Sequence, residues 1–185
     1  MKKLGSILIY MFLLFSCKGH GQTTDSVREN ENSNQESFVF SGDYNDLLTL
    51  EMASEISGFE ASKASKTHTM KGMMAEILRY YWDHDRKIVI EGSTFPRIDL
   101  VQIKWVDGEA DMDSFLDFID LEKHPELIKV NGVGETAYWN PIKCHLEVYY
   151  NGISFTLQID VYNDDNIDKE KTIALAKTII EERIN

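Results

Sequence analysis

Cysteine, proline and positive charge are all scarce in this chain. Two cysteines among 185 residues cannot build a disulfide framework or a four-thiolate zinc site, and 3 Pro with 11 Gly exclude collagen-like and low-complexity polymers. Lys and Arg number 19 against 31 Asp and Glu, a net charge of −12. Nucleic-acid binding rests on clustered cations that displace condensed counterions, and no Lys/Arg cluster supplies that field, so DNA and RNA are poor partners. The apolar runs also stop short of the ~18 residues that a membrane-spanning helix needs. What remains, 43% hydrophobic and 27% charged, suits one ordinary globular domain.

The N-terminus carries an address. Met1-Lys2-Lys3 is a basic start, Leu4 to Phe15 is an apolar run broken only by Gly5 and Ser6, and Ser16-Cys17 precedes the polar Lys18-Gly19-His20. As a helix the run would span roughly 18 Å, short of the ~30 Å hydrocarbon core, so it reads as a signal h-region. Leu14-Phe15-Ser16-Cys17 resembles the lipobox of bacterial lipoproteins, with Phe15 departing from the smaller residue usual there. The resemblance implies a signal peptide over 1–16, cleavage before Cys17 and acylation of Cys17. Two or three acyl chains, at ~0.8 kcal/mol per buried methylene, anchor a protein stably. Lys18, in place of an acidic residue after the Cys, leans the address toward the outer membrane of the cell envelope. The alternative is an ordinary secretory signal in which Cys17 is incidental.

Residues 18–37, after Cys17, hold a single Val among polar, charged and Gly residues, mostly Lys, Gly, Gln, Thr, Ser, Asn and Glu, and Asn30 to Glu36 can bury no apolar surface. This predicts a disordered tether spanning on the order of 25 Å. A single folded domain is expected over 38–185, large enough to bury roughly 68–70% of its unfolded surface. Cys144 alternates with Leu146, Val148 and Tyr150, which predicts a buried structural thiol on a strand.

The C-terminal third has the clearest periodicity. Two alternating stretches flank Asn151-Gly152, a strong hairpin signal. Ile153, Phe155, Leu157 and Ile159 are expected on a core face, and His145, Glu147, Tyr149, Ser154, Thr156 and Gln158 on a solvated one. Asp168 is expected to cap a final helix whose Ile173, Ala176, Ile180 and Ile184 cover the core face. Upstream, 49–57 reads as a helix between Thr49 and Gly58. Leu78-Tyr80-Trp82, Ile88-Ile90 and Val101-Ile103-Trp105 alternate as strands, and Asp111 to Glu122 is helical. Residues 60–76, with Met70, Met73 and Met74, show no usable period. This order predicts an α+β fold, an antiparallel β-sheet of about six strands covered by two or three helices. Val130-Asn131-Gly132-Val133-Gly134-Glu135-Thr136-Ala137 resembles an element of small, uncharacterised envelope lipoproteins with a PsbP-like fold. The resemblance spans roughly 48–183 and implies that fold, with no common activity.

Four constellations could carry chemistry. Gly132 to Ala137 matches a dinucleotide fingerprint formally, but a strand-like Tyr138-Trp139-Asn140-Pro141 follows where a helix is required. Glu109, Asp111, Asp113, Asp117 and Asp120 imitate calcium-loop spacing, with Ser114 where the turn glycine belongs. Asp160, Asp164, Asp165, Asn166 and Asp168 form a second acidic loop. Capping and solvated turns explain both, so no metal site is assigned. Asp83-His84-Asp85 could orient an imidazole, and His145-Glu147-Tyr149 lines one strand face, yet neither has an identifiable nucleophile. No catalytic residue and no cofactor follow from these patterns. The expectation is a lipid-anchored, non-catalytic module that binds an envelope protein, peptide or small ligand. The alternative is a small hydrolase or metal-dependent enzyme using Asp83, His84 and His145.

Overall fold

The computed structural model describes residues 38–69, 76–83 and 86–185. The lipobox with Cys17, the tether, the three methionines and His84 lie outside the described residues. Along the chain come α1 (Leu50–Ser57), β1 (Ser65–Thr69), β2 (Ile77–Trp82), β3 (Lys87–Ile90), β4 (Ser93–Pro96), β5 (Asp99–Asp107), α2 (Met112–Ile119), β6 (Ile128–Lys129), β7 (Thr136–Asn140), β8 (His145–Tyr150), β9 (Ile153–Asp160) and α3 (Asp165–Ile179). A π-helical turn, Ile180–Ile184, extends α3.

Seven strands form one antiparallel sheet in the order β1-β2-β5-β9-β8-β7-β6, and β3 and β4 form a separate two-stranded arm. The fold is therefore α+β, an antiparallel sheet covered by helices. Its strand count exceeds the expectation because β1 (Ser-Lys-Thr-His-Thr) and the two-residue β6 carry no apolar alternation. Ile88-Ile90 is a strand, but it pairs with β4 and not with the main sheet.

One face of the sheet holds the main core. Leu78, Tyr80 and Trp82 of β2, Val101 and Ile103 of β5, Phe155, Leu157 and Ile159 of β9, and Leu146 and Val148 of β8 pack there. Leu175, Ala176, Ile179, Ile180 and Ile184 cover them, with Met52 and Ala53 of α1. Alternate strand positions thus meet one helical stripe, as the periodicities require.

The helix ends follow local chemistry. Thr49 accepts the Met52 N–H at 3.2 Å, and Gly58 closes α1 at φ 77°. Asp111 caps α2 in a reciprocal capping box with Ser114. The start of α3 differs from expectation: Asp164, not Asp168, is its N-cap. Asp168 sits one turn inside, buried, and accepts the Val161 and Tyr162 N–H groups at 3.1 and 3.2 Å. It ties the helix to the end of β9, a contact that helix-capping spacing does not encode. Burial holds its carboxyl above the usual carboxylate range, against the lowering effect of those two donors.

Cys144 also departs from expectation. It lies half-buried in the turn between β7 and β8 at φ 51°, before the strand begins. Asn140 Oδ1 builds that turn by accepting the Ile142 and Lys143 N–H groups at 3.1 and 2.9 Å. Burial first, and then the Asp165 carboxylate, push the thiol up, which disfavours the thiolate that a nucleophile needs.

Candidate functional site

The second face of the sheet is polar in sequence, and half of it is buried. His145 and Thr156 are 0% exposed, and Glu147, Tyr149 and Ser154 are buried too. This overturns the expectation of a solvated face. The cover is α2 and its flanking loops: Phe115, Ile119 and Ala110 pack on Tyr149, with Leu116, Leu127 and Tyr138 around them. Phe115 and Tyr149 bring their ring centroids to 5.8 Å. Alternation alone reads such a face as wet, because the lid comes from about 30 residues upstream.

Register aligns polar side chains in rows across the strands. Arg79, Gln102 and Gln158 share one row. Arg79 Nε donates to Gln102 at 2.8 Å, and Gln102 Nε2 donates to Gln158 at 2.6 Å. The next row holds Lys104, Thr156 and Glu147. Thr156 Oγ1 donates to Glu147, and His145 Nε2 lies 2.8 Å from the other carboxylate oxygen. That contact is off the line of a hydrogen bond, and neither ring nitrogen of His145 has a hydrogen-bond partner. Burial pushes the Lys104 ammonium below the usual lysine range, while the Glu147 carboxylate pulls it back up.

Trp105 crowns this cluster through a backbone irregularity. Regular alternation would place it in the main core with Val101 and Ile103. Instead the β5–β9 register slips between Lys104 and Asp107, and Trp105 takes φ 54°. A bulky residue at positive φ is uncommon and costs roughly 1–3 kcal/mol. The bulge turns the indole onto the polar face and returns Val106 to the core side. There Trp105 meets His145 edge-on at 6.2 Å and Phe118 at 5.9 Å, with the Lys104 ammonium 4.6 Å from its ring.

Two hollows flank the Trp105–Phe118 pair. One, of about 170 Å³, is lined by Ile119, His124, Asn140, Lys143 and Glu147. The other, of about 220 Å³, is lined by Val106, Asp107, Ser114, Phe115 and Ser154. Each is smaller than the ~300–1,000 Å³ of small-molecule sites and suits one inserted side chain.

The cluster lacks the direct hydroxyl–imidazole contact of a hydroxyl nucleophile paired with histidine. The carboxylate stands between hydroxyl and imidazole, so Thr156 is bound to Glu147 and not to the His145 ring. Asp83 is exposed just beyond β2, three strands from β8 and four residues past the level of His145, roughly 20 Å away by strand spacing and rise. The structure does not bring Asp83 and His145 together.

The acidic runs are engaged locally. Asp111 caps α2, and Asp120 pairs with Lys123 at 2.5 Å. Asp160 receives Arg86 and Arg97 at 2.6 and 2.9 Å, and the buried Asp99 also pairs with Arg86. The glycines before β7 lead into a strand, and Glu135 N–H bonds the Tyr149 carbonyl at 3.1 Å. Among the described residues no three His, Cys, Asp or Glu side chains gather as a metal site.

An antiparallel sheet with an apolar face under two helices and a polar face under a third defines the class of this protein. No protein-family model, curated protein or solved structure matches the chain.

Proposed function

We propose that this protein is a lipid-anchored module of the bacterial cell envelope that binds a peptide or protein partner without catalysis. The anchor is Cys17, acylated after signal cleavage, with Lys18 directing it to the outer membrane and residues 18–37 serving as the tether. The binding site is the Trp105–Phe118 ridge. The observation that carries this reading is the pair of side-chain-sized hollows on either side of an aromatic ridge whose Trp is held at positive φ. A partner would seat one side chain in each hollow and stack against Phe118, which stands 55% exposed. Exposed aromatics beside pockets are the usual anchors of such contacts. The buried His145-Glu147-Thr156 cluster beneath them supports the ridge.

Two measurements test the reading separately. A fatty-acid analogue should label the protein and not its Cys17→Ala variant; equal labelling ends the anchor. A photo-cross-linking residue at position 118 should give one discrete adduct in intact cells, absent when the same residue stands at 181 in the π-helical turn after α3. Equal adducts at both positions, or none at 118, remove the ridge as a binding site.

A further inference from the structure

The apolar side chains left on the surface are unevenly placed. Among the described residues ten large hydrophobics are exposed, and six of them, Val89, Ile90, Phe95, Ile98, Ile142 and Ile167, lie at one end of the sheet. Register fixes this. Asp99 begins β5, Asp160 ends β9 and His145 begins β8, so the β3–β4 arm, the Ile142 turn and the start of α3 all emerge there.

The arm is the extreme of this end. Its strands are exposed on nearly every position, with Val89 at 67%, Ile90 at 52% and Phe95 at 47%. Phe95 stands opposite Ile88, and Ile90 shares their face, while Val89 takes the other. An isolated two-stranded hairpin is marginal in water. Here its base is clamped: Arg86 donates to the Tyr162 and Asp160 carbonyls at 2.6 and 2.8 Å and pairs with Asp99 and Asp160, and Arg97 pairs with Asp160. The clamp consumes both arginines, so the arm shows water only Lys87 and Glu91, whose charges cancel.

We infer that this apolar end, led by the β3–β4 arm, inserts into the interfacial layer of a lipid bilayer. Charge selects that occupant over a second copy. The chain carries −12, so pairing two copies would bring two strongly acidic domains together. At this end the start of α3 exposes Asp164 and Asp165, and Asp83 is exposed beyond β2, whereas the arm is neutral and projects its apolar side chains, so it is the arm that meets a headgroup layer. Chain length agrees. The described chain starts near the far end of β5, where Phe40 packs on Gly108. β5 spans roughly 30 Å for its nine residues, and the 20 residues of 18–37 have a contour length of at most about 70 Å, enough to pass that distance. This inference rests on the anchor proposed at Cys17 for holding the protein at a bilayer. The arm sets which end of the domain faces it.

The test uses the full acylated chain on vesicles of phosphatidylethanolamine and phosphatidylglycerol. With Cys144→Ser removing the free thiol, one nitroxide is attached through Val89→Cys and another, as control, through Glu181→Cys. Collision with apolar oxygen should rise several-fold at position 89 when vesicles are added, and collision with an aqueous nickel complex should fall, with neither changing at 181. An arm label that stays as aqueous as the control, while fatty acid at Cys17 holds the protein on the vesicles, overturns the inference and leaves the anchor standing. Absence of fatty acid at Cys17 overturns the anchor instead. The Cys17→Ala chain on the same vesicles then decides the arm by itself, with Ile90→Ser and Phe95→Ser expected to abolish any partition. Protection of position 89 in cells but not on vesicles would mark a protein partner and likewise overturn the bilayer.

Discussion

Replacing Thr156 by Val tests whether the polar face is dry. The two side chains have nearly the same volume, and Val suits a strand, so no cavity and no loss of propensity enters. What is lost is the hydroxyl that donates to Glu147 in a fully buried position. A hydrogen bond to a charged group contributes roughly 1.5–3 kcal/mol, and Glu147 would keep its contact with His145 and the charge of Lys104 but no hydroxyl donor. The expected loss is about 2 kcal/mol, or roughly 4–8 °C in Tm for a domain of this size. Urea titration should show a lower midpoint at unchanged slope. Pairing the change with Glu147→Gln should cost less than the two singly, because both remove one interaction. A loss below about 0.5 kcal/mol, typical of a surface substitution, would show that water reaches Glu147 and that α2 does not seal this face.

Three further outcomes are expected. Phe155→Ala, under α3 in the main core, should cost roughly 3–5 kcal/mol by denaturant titration, several times a surface substitution in the same assay. Gly134 sits at φ +54° with a Cβ position 2.6 Å from the Tyr149 carbonyl oxygen, whereas Gly132, at φ +74°, faces open space. Gly134→Ala should therefore destabilise clearly more than Gly132→Ala, which should cost about 1 kcal/mol; equal losses would mean that the β7–β8 edge shifts freely. Asp168 has a raised carboxyl pKa, so the folded state holds its proton more tightly than the unfolded state does. The stability it contributes should then fall as pH rises from the ordinary carboxylate range through that raised value. The difference between the protein and Asp168→Asn, measured by urea titration between about pH 3 and pH 7, should follow that slope; a slope of opposite sign would show that the backbone donors outweigh burial.

Sequence alone determined the parts governed by neighbours in the chain. The Asn151-Gly152 hairpin, α1 between Thr49 and Gly58, the α2 segment after Asp111, and the burial of Ile153, Phe155, Leu157 and Ile159 all follow from turn chemistry, capping and period. Gly132 to Ala137 leading into a strand was legible for the same reason. Tertiary structure decided what distant segments do to one another. β1 pairs without apolar alternation because β2 supplies its partner, and Ile88-Ile90 leaves the main sheet because β4 takes it. A one-residue slip in β5 sends Trp105 to the opposite face from the one its alternation indicates. His145, Glu147 and Thr156 look like solvated polar positions, and only the return of α2 over the sheet removes them from water. The candidate site was illegible in the sequence for that reason: burial is set by segments that meet in space, while period and capping report only on residues a few places apart.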